Sequence, residues 1–478
     1  MAEGATGSDG ARLRGCAGHP HGGGSESGSG DRGTEGALTA RSGVTRYFGR
    51  GAGGPSGGGR EPRASFLEVR LPKRTDVTDP GAMIRRHLEA PLRELARSYP
   101  VVVVTGPRQS GKTTLCREAF PELPYRNLEP LDQRTMARED PRGFFAELME
   151  GPGGAVIDEI QNVPELTSYL QVLVDEEPER RPFVLTGSHQ LGLTSAVSQS
   201  LAGRAAMLHL LPPSLGELRG FGELPETPWP LLWRGAYPRI FEEGVPAGRW
   251  LVDYFEAFVL RDVRSITNVG DLRAFTRFVE LCAAHTGCEL NLSRLGGDAG
   301  VSHHTAKSWI SILEASFLIQ LVPAWHGNLR KHLVKRPKLH FLDTGLACHL
   351  LRIREPQQLE RHPLRGAIFE SWVAAELLKA RLHRALPSDL FHLRAKSGLE
   401  LDLLLDQGAR IDLFEAKSGA TVVPDHSAAL RRVGSLLAEE ERAPELGMHL
   451  VYGGSEPTTF RKVKITPWNQ LDALAESL

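Results

Sequence analysis

Residues 101–114 read VVVVTGPRQSGKTT, so four valines run into the spacing G-x-x-x-x-G-K-[ST]. The apolar run predicts a buried strand, and the residues after the motif predict a helix. Glycines allow the backbone to turn tightly, so that successive N–H groups point at a chain of phosphates. The sequence therefore predicts a phosphate-binding loop formed by Gly106, Pro107, Arg108, Gln109, Ser110, Gly111, Lys112, Thr113 and Thr114.

The partners of this loop follow from its chemistry and from the next apolar run. Lys112 can reach the outer phosphates of a nucleotide, and Thr113 can hold Mg²⁺. The second predicted strand, residues 155–157, ends in Asp158 and Glu159. We expect Asp158 to hold Mg²⁺ directly or through water and Glu159 to orient or deprotonate the attacking water, so ATP and Mg²⁺ are the predicted ligands. A pair of acids at a helix N-terminus is the alternative interpretation.

A third predicted strand, residues 183–186, adds candidates at the same edge of the sheet. Ser188 follows this strand and is expected to contact the γ-phosphate or its water, although a serine at a strand end often caps a turn. Arg204 precedes another apolar run, residues 205–211. Two interpretations of Arg204 stay open. It is either a guanidinium that stabilises transition-state charge, in its own site or a neighbouring subunit's, or one half of a structural salt bridge.

Strands that alternate with helical segments of ten or more residues predict a parallel sheet covered on both faces. An open α/β sheet places its ligand at the carboxyl ends of its strands, where the polar residues lie here. Before the first strand, apolar residues at helical spacing predict a helix over residues 82–99. The first domain is therefore expected to be of the α/β class.

Composition limits the class of protein. The chain has 478 residues, and its 57 Lys and Arg nearly cancel its 58 Asp and Glu, so any contact with nucleic acid needs a local patch. Five scattered cysteines without a C-x-x-C pair argue against a disulfide framework and a zinc knuckle and favour a reducing cytosol. The sequence lacks an apolar run long enough for a signal peptide or a membrane span, which predicts a soluble, cytoplasmic protein without membrane contact. Residues 1–65 are rich in glycine and serine and predict a disordered leader.

Residues 290–322 predict a helix-turn-helix. Its helices are expected over residues 292–299 and 303–319, with Ser302 as the N-cap of the second helix. A basic run, residues 330–338, follows and is either a wing that touches backbone phosphates or a solvated loop. DNA is therefore a candidate partner.

The last third of the chain suggests a second site. A predicted helix over residues 366–381 carries Glu370. The predicted strand 399–405 has Glu400 and Asp402 on one face, and the strand 411–417 has Glu415 and Lys417 on one face. Carboxylates around a hard cation can hold Mg²⁺ or Mn²⁺, which activates water for attack on a phosphodiester, and Lys417 is expected to position that water. Acids on the solvent face of a strand are the alternative.

These motifs together mark a family resemblance. The landmarks are Gly106–Thr113, Ile157–Gln161, Leu185–Ser188, Leu201–Arg204, Gly235–Pro238, Phe341–Gly345 and Glu415–Lys417. From about residue 82 to residue 478 the chain resembles the bacterial and archaeal AAA-type ATPases with a C-terminal domain of unknown function. In these proteins a winged helix precedes a restriction-endonuclease-like fold of the PD-(D/E)xK kind.

The resemblance implies roles for particular residues. It makes Asp158 and Glu159 the Walker B pair, Ser188 the first sensor and Arg204 a candidate finger, and it puts a glycine-proline turn at Gly235–Pro238 over the nucleotide. The residues that match the nuclease-like constellation are Glu370, Asp402, Glu415 and Lys417. The chain departs from the pattern in two places, because Leu401 stands where the name-giving motif has proline and Gly296–Gly297 is unusual for a winged helix.

The expected fold is a P-loop NTPase parallel-sheet domain, followed by a winged helix-turn-helix and a restriction-endonuclease-like α/β domain. The expected boundaries are 1–65 for the leader, 82–220 for the ATPase domain, 221–285 for a helical lid or connector, 286–345 for the winged helix and 360–478 for the nuclease-like domain. The expected function is an ATP-hydrolysing switch or motor that couples its nucleotide state to the C-terminal region. Two alternatives are a metal-dependent DNA nuclease regulated by ATP and a non-catalytic adaptor that binds DNA or a protein partner. A second copy of the chain is a further candidate partner.

Overall fold

The computed structural model describes residues 84–150, 153–179, 181–188, 197, 199–259, 271–326, 335–395, 397–439 and 443–478. The predicted leader, the start of the helix predicted at residue 82 and residues 330–334 of the basic run lie outside these ranges.

The first domain is built on a parallel sheet with strand order β2-β3-β4-β1-β5. Every strand pair in it is parallel, and β1 lies between β4 and β5, so the prediction of a parallel α/β sheet is confirmed. The strands are β1 (Val101–Thr105), β2 (Tyr125–Asn127), β3 (Val156–Asp158), β4 (Phe183–Gly187) and β5 (Ala205–His209). The helices are α1 (Glu89–Ser98), α2 (Lys112–Ala119), α3 (Leu131–Glu139), α4 (Pro141–Leu148) and α5 (Leu166–Glu176), with a 3₁₀ turn at Ile160–Asn162.

The alternation of side chains along β1 explains how the sheet is covered. Val101 and Val103 pack with Phe183 and Leu185 in one apolar cluster. Val102 and Val104 pack with Leu115 of α2 in a different cluster. Successive residues of a strand point to opposite faces, so a run of four valines requires an apolar layer on each side.

Helix α1 starts later than the apolar spacing predicted. It begins at Glu89, and the preceding residues 84–88 are not part of the helix. Arg86 in this segment donates to the main-chain oxygens of Ser110 and Leu211, at 2.6 and 2.7 Å. These tertiary hydrogen bonds hold the segment outside the helix.

The middle of the chain is largely helical. Its helices are α6 (Leu215–Leu218), α7 (Pro228–Arg234), α8 (Pro238–Glu242), α9 (Ala247–Tyr254), α10 (Leu272–Ala284), α11 (Leu292–Ala299), α12 (His303–Ala315), α13 (Thr344–Leu350) and α14 (Pro356–Arg361), with a 3₁₀ turn at Arg219–Phe221 and a π-helical turn at Phe255–Val259. Strands β6 (Cys288–Glu289), β7 (Ile319–Val322) and β8 (Lys338–Phe341) form an antiparallel sheet in the order β6-β8-β7.

The predicted pair of helices is present, with one change. Helix α11 has the predicted bounds, and Ser302 caps α12 by accepting from the Thr305 amide at 3.1 Å. Helix α12 ends at Ala315 instead of residue 319, because Ile319 pairs with Phe341 in the sheet. The unusual Gly296 fits the turn, since a Cβ there would lie 3.0 Å from the Val301 main-chain oxygen.

Helix α10 belongs to the same core as these two helices. The rings of Phe275 and Phe278 on α10 meet the ring of Trp309 edge-on, with centroids 5.2 and 5.3 Å apart. The expected domain boundary between residues 285 and 286 would therefore divide α10 from α12, although the two helices pack in one core.

The C-terminal domain is a mixed sheet in the order β13-β14-β12-β11-β10-β9. Strands β9, β10 and β11 pair antiparallel, whereas β11, β12 and β14 pair parallel. The strands are β9 (Leu390–Arg394), β10 (Glu400–Asp406), β11 (Arg410–Lys417), β12 (Glu445–Tyr452), β13 (Thr458–Phe460) and β14 (Val463–Pro467). The helices are α15 (Arg365–Leu382), α16 (Ala428–Ala438) and α17 (Leu471–Glu476), with 3₁₀ turns at Pro424–Ser427 and Trp468–Gln470.

Candidate functional site

The loop after β1 needs its glycines. Gly106 has a φ of +153°, and a Cβ on it would lie 2.1 Å from the Leu210 main-chain oxygen. Gly111, with a φ of +94°, stands directly before α2. Both are backbone conformations that residues with a side chain rarely adopt. The loop therefore turns tightly from the sheet into α2, as predicted from the motif.

Lys112 lies across this loop. Its Nζ donates to the main-chain oxygens of Gly106 and Pro107, at 3.0 and 2.8 Å. Burial lowers the pKa of Lys112 to about 8, although Glu159 and Asp158 oppose the shift. The ammonium is thus held beside the loop by two neutral acceptors.

The loop and helix start also fit an anion. Among the described residues, the N–H groups of Gln109 and Gly111 donate no main-chain hydrogen bond, while a hydrogen-bonded turn covers Arg108 and Gln109. The buried Ser110 hydroxyl likewise has no partner within the described part of the chain. Main-chain N–H groups at the start of a helix are a natural binding site for phosphate. Thr114 lies exposed on α2.

Asp158 is held by three hydroxyl groups. Thr113 Oγ1 donates to Asp158 Oδ2 at 2.9 Å, and the Tyr125 hydroxyl donates to the same oxygen at 2.8 Å. Thr186 donates to the other carboxylate oxygen. The structure thus brings the threonine of the loop to the aspartate at the end of β3. Tyr125 and Thr186 were not predicted, because their proximity follows from the pairing of β2 and β4 with β3.

Glu159 follows in a left-handed conformation, with a φ of +57°. Ser188 Oγ donates to Glu159 Oε2 at 3.2 Å. Gln161 donates to both Glu159 and Ser188, the latter at 3.2 Å. The structure therefore places Glu159 and Ser188 in contact, as two predicted residues of the site. Gln161, a sequence landmark without a predicted role, bonds to both.

Arg204 is engaged elsewhere. Its Nε and Nη2 donate to the two carboxylate oxygens of Asp175 on α5, at 2.6 and 2.7 Å. Of the two open interpretations, this arrangement is the structural salt bridge.

The acids of the C-terminal domain also converge. We call Glu370, Glu400, Asp402 and Glu415 the acid cluster. Asp402 and Glu415 are 9% and 8% exposed, so they do not lie on a solvent face. Asp402 Oδ2 accepts from the Ala416 amide at 2.9 Å, and Lys417 Nζ donates to Glu415 Oε1 at 2.6 Å.

A lysine that sequence reasoning placed elsewhere enters this cluster. Lys338, the last residue of the basic run, is buried, and its Nζ donates to Glu370 Oε1 at 3.0 Å. It also lies 3.0 Å from Glu400 Oε1 and 3.8 Å from Asp402 Oδ1. Of the two interpretations of the basic run, neither a phosphate contact nor a solvated loop describes Lys338.

The charges of the cluster shift one another. Burial and the carboxylate of Asp402 raise the pKa of Glu370 and of Glu415. Burial by itself would lower the pKa of Lys338, but the carboxylates of Glu370, Asp402 and Glu400 outweigh it and raise that pKa. The Lys338 ammonium is therefore charged and is neutralised by its neighbours.

A buried polar network, which we call the junction network, links the phosphate loop to α15. It consists of Arg86, Glu217, Glu376, Lys379 and His383. Arg86 donates to Ser110 O of the loop and, at 3.0 Å, to Glu217 Oε1. Glu217 Oε2 lies 3.3 Å from His383 Nδ1. Sequence reasoning missed this network, because Arg86, Glu217 and the group at residues 376–383 come from three segments that are more than 100 residues apart.

Two further contacts of the network fix α15 on the segment after β5. Glu376 Oε2 accepts from the Leu215 amide at 2.6 Å, and Lys379 Nζ donates to Pro213 O at 3.0 Å. Helix α15 also carries Glu370 of the acid cluster, so one helix touches both regions.

Two sequence landmarks pack on each other in the middle of the chain. Asp343 Oδ2 accepts from the Ala236 amide at 2.8 Å, and a Cβ on Gly235 would lie 2.4 Å from Asp343 Oδ1. The Tyr237 hydroxyl donates to the Tyr254 hydroxyl, which lies 3.5 Å from the main-chain oxygen of Arg108 in the phosphate loop. The glycine-proline turn thus reaches the loop through Tyr254.

Comparison with known proteins places this geometry in a family. The model described as "AAA domain" matches residues 98–219. Two models described as domains of unknown function match residues 227–357 (DUF8612) and residues 365–471 (DUF4143). The uncharacterized proteins Rv2008c of Mycobacterium tuberculosis (strain ATCC 25618 / H37Rv) and Mb2031c of Mycobacterium bovis (strain ATCC BAA-935 / AF2122/97) are each 31% identical to this chain. Each match extends over 353 residues, which is 73% of this chain and 76% of the relative.

The chain belongs to the family of these two mycobacterial proteins. The AAA match, the sequence motif and the parallel sheet together identify residues 98–219 as an AAA-type P-loop ATPase domain. The match to DUF4143 covers α15 and the acid cluster, and this domain is described as one of unknown function.

Two solved structures of proteins described as ATPases have partial similarity to the chain. The Walker-type ATPase PABY2304 of Pyrococcus abyssi is 15% identical with a TM-score of 0.41, over 57% of this chain and 96% of that chain. The STAND protein PH0952 of Pyrococcus horikoshii, which has a tetratricopeptide repeat sensor, is 12% identical with a TM-score of 0.20, over 63% of this chain and 48% of that one. Both scores are low, and membership of the family rests on the sequence relatives.

Among the described residues, no helix combines the length and the hydropathy that a bilayer span requires.

Proposed function

We propose that this protein is an ATP-hydrolysing switch whose nucleotide state is coupled to its C-terminal region. The observation that carries the ATPase part is the hydrogen bond of 2.9 Å between Thr113 of the phosphate loop and Asp158 at the end of β3. It brings together a threonine and an aspartate that suit Mg²⁺, beside a loop in which, among the described residues, two N–H groups donate no main-chain hydrogen bond. A nucleotide and its metal ion need these groups at one place.

Each residue then has a chemical task. The loop amides and Lys112 bind the β- and γ-phosphates, while Thr113 and Asp158 provide oxygen ligands for Mg²⁺. Bound Mg²⁺ neutralises charge on the phosphate oxygens. Glu159 orients the attacking water and accepts its proton, and Ser188 with Gln161 holds the Glu159 carboxylate in place.

Binding is tested first with the full chain and Mg²⁺-ATP by calorimetry. We expect Lys112→Ala to weaken binding strongly, since it removes the charge that faces the phosphates. Lys464→Ala, at an exposed lysine of β14, is the matched control and should bind like the wild type. The proposal fails if the wild type takes up no nucleotide at millimolar concentration.

The junction network supports the coupling part. Arg86 bonds to the phosphate loop, and Glu217 connects it to His383 at the end of α15. Glu370 lies 13 residues earlier on that helix, so a rise of 1.5 Å per residue puts it about 20 Å away. A rigid helix that touches both regions is a physical route by which one site can bias the other.

The coupling is tested by hydrogen exchange of α15. We expect its protection to differ between the ADP-bound chain and the chain bound to a non-hydrolysable ATP analogue. In Arg86→Met this difference should shrink, whereas Arg85→Met, at an exposed neighbour, should keep it. Identical protection in both nucleotide states of the wild type would refute coupling through this helix.

A metal-dependent nuclease regulated by ATP is the second candidate function. The convergence of Glu370, Asp402, Glu415 and Lys417 favours it, because this set combines metal-binding carboxylates with a lysine beside them. Linear, branched and single-stranded DNA should be incubated with the chain in Mg²⁺ or Mn²⁺. Cleavage that survives Asp402→Ala combined with Lys417→Ala would show that these residues are not responsible.

A non-catalytic adaptor is the third candidate. Helices α10, α11 and α12 with the sheet β6-β8-β7 support a winged-helix domain, the arrangement that many DNA-binding proteins use. Lys335 and Arg336 of the basic run are exposed and available to phosphates. Binding to DNA that weakens steeply with salt, without cleavage, would favour this function. A chain that ignores DNA at low salt would point to a protein partner or a second copy instead.

We also propose that the protein works in the cytoplasm. The described cysteines Cys116, Cys282, Cys288 and Cys348 are all free thiols, which supports a reducing compartment. Fractionation of cells that express a tagged chain tests this location.

A further inference from the structure

Tyr125 reaches the nucleotide site from the edge of the parallel sheet. It is the first residue of β2 and lies opposite Val156 of β3, two residues before Asp158. Residues two apart on a strand point to the same face of a sheet, so Tyr125 lies on the face that carries the Asp158 carboxylate. Its hydroxyl group donates to Asp158 Oδ2 at 2.8 Å. This hydroxyl group therefore touches a residue that is proposed to hold Mg²⁺.

The ring of Tyr125 is held in place independently of its hydroxyl group. The ring packs against the apolar cluster that contains Val156 of β3 and Leu115 of α2. The Arg117 guanidinium of α2 lies over the ring, 4.9 Å from its centroid. A cation over an aromatic face is an attractive contact. Because these contacts involve the ring alone, the contribution of the hydroxyl group can be measured by removing one oxygen.

The Asp158 carboxylate receives its side-chain hydrogen bonds from neutral hydroxyl groups. Thr113 and Tyr125 donate to Oδ2 at 2.9 and 2.8 Å, and Thr186 donates to Oδ1. A carboxylate oxygen has two lone pairs, so two donors at Oδ2 and a third at Oδ1 define the rotation of the group. A hydroxyl donor adds no positive charge. Asp158 is thus oriented while its negative charge stays available to a cation.

The three donors differ in what else they do. Thr113 belongs to the phosphate loop, and its oxygen is itself a proposed ligand of Mg²⁺. Thr186 also accepts from the Glu159 amide at 3.2 Å, so a change there disturbs both acids. The Tyr125 hydroxyl group comes from the edge strand, outside the loop and outside the acid pair. Its loss would change the hold on Asp158 and leave the other proposed catalytic groups in place.

The hydroxyl group of Tyr125 is a permanent donor at neutral pH, because burial and the hydrogen bond to Asp158 raise the pKa of Tyr125. We propose that Tyr125 is a positioning residue of the nucleotide site, whose hydroxyl group holds the Asp158 carboxylate beside Thr113 in the orientation that receives Mg²⁺. Groups that hydrogen-bond to a metal ligand orient it, and their loss commonly lowers metal affinity about 10- to 100-fold. Tyr125 acts through Asp158.

This role rests on the proposed ATP site, and the test keeps the two apart. The full chain is saturated with ADP, and bound Mn²⁺, which takes the same oxygen ligands as Mg²⁺, is counted by electron paramagnetic resonance without turnover. Calorimetry in the presence of EDTA measures the binding of metal-free ADP. Tyr125→Phe removes the hydroxyl group. Tyr169→Phe is the matched control, the same change at a tyrosine of α5 that is 42% exposed.

We expect Tyr125→Phe to bind Mn²⁺ about tenfold more weakly than the wild type, and Tyr169→Phe to match the wild type. Both variants should bind metal-free ADP as the wild type does, because the loop amides and Lys112 stay in place. Adding Tyr125→Phe to Asp158→Ala should cause no further loss of Mn²⁺ affinity, since the hydroxyl group acts through that carboxylate.

Turnover gives a second readout. The apparent KM of Tyr125→Phe for Mg²⁺ should rise about tenfold, while kcat at saturating Mg²⁺ stays within about twofold of the wild type. Excess Mg²⁺ therefore restores activity. A hydroxyl group with a purely structural role would lower the free energy of unfolding instead, and excess metal would not compensate for its loss.

Each outcome decides the role of Tyr125. A folded Tyr125→Phe with wild-type Mn²⁺ affinity overturns the positioning role and leaves the ATP site standing. So does a loss of Mn²⁺ affinity that persists in the Asp158→Ala background. A Tyr125→Phe that does not fold, or that loses metal-free ADP to the same extent as Mn²⁺, makes the hydroxyl group structural and also overturns the role. A wild type that takes up no ADP refutes the proposed ATP site itself, and this role with it.

Discussion

The phosphate loop and the acid cluster each bring a lysine close to carboxylates, but they satisfy the lysine differently. Lys112 donates to two neutral main-chain oxygens, and the nearby Asp158 accepts from hydroxyl groups. Lys338, which is itself buried, instead contacts the carboxylates of Glu370 and Glu400. A neutral acceptor is easily replaced by a phosphate oxygen, whereas breaking a buried ion pair leaves a charge uncompensated. The first arrangement is therefore ready for a ligand, and the second contains its own counter-ion.

The largest expected effect on this comparison is that of Glu159→Gln. If the phosphate loop is an ATP site, removing the base should lower kcat about 10²- to 10⁴-fold while ATP still binds. Phosphate release measures turnover, and calorimetry measures binding. Glu165→Gln, at an exposed glutamate of the same segment, should retain full activity. Unchanged turnover in Glu159→Gln would assign the base elsewhere.

Arg86→Met tests the junction network between the two regions. It leaves the Glu217 carboxylate buried without its arginine, which should cost about 3–5 kcal/mol in free energy of unfolding. It should also weaken ATP binding, since Arg86 supports Ser110 of the loop. Urea unfolding measures the stability.

Arg85→Met is the control for that change, because the Arg85 side chain is 85% exposed. Its stability should stay within about 0.5 kcal/mol of the wild type. If Arg86→Met is equally harmless, the junction network does not stabilise the contact between the regions.

We expect acid to lower the free energy of unfolding through His340, which lies near the acid cluster. Burial, with Lys338 and His392 nearby, lowers the pKa of His340 from 6.5 to about 3. Below pH 6.5 the unfolded chain binds a proton that the folded chain does not, so stability present above pH 6.5 is lost as the pH falls toward 3. The slope from this residue is at most about 1.4 kcal/mol per pH unit.

Urea unfolding at pH 7, 6 and 5 measures that slope. His340→Gln should flatten it, and His304→Gln, at an exposed position, should not. Equal slopes for the wild type and His340→Gln would show that this histidine is not buried in its neutral form.

The smallest expected effect belongs to Arg204→Ala. An exposed salt bridge with Asp175 contributes little, so turnover should change less than about twofold. A finger that stabilises transition-state charge would instead cost about 10³-fold or more. Measuring turnover at several protein concentrations, beside Asp175→Asn, separates the two interpretations.

Local sequence was sufficient where function lies within one short segment. The loop from Gly106 to Thr113 could be predicted because its spacing and its strand-to-helix context are local. The start of α12 after Ser302 and the faces of β10 and β11 were predictable for the same reason. Helix α1 was predicted too long, since long-range hydrogen bonds of Arg86 hold residues before Glu89 outside the helix.

The role of Lys338 could not be predicted from its neighbours in the sequence. It ends a basic run that is typical of a solvated loop or a phosphate contact, yet strand pairing in β8 turns it toward α15 and β10. Tyr125 and Thr186 are similar cases, because the register of separate strands brings their hydroxyl groups to Asp158.

The sequence by itself determined the phosphate loop, the parallel sheet and which residue types stand at the strand ends, because spacing and apolar runs dictate local backbone geometry. The tertiary structure alone decided which partner each charged group contacts. Asp158 contacts hydroxyl groups, Arg204 contacts Asp175, and Lys338 contacts the acid cluster. Such pairings depend on strand order and on packing between distant segments. Ion pairs form where folding brings opposite charges together, at the surface as for Arg204 and Asp175 or around a buried group as for Lys338.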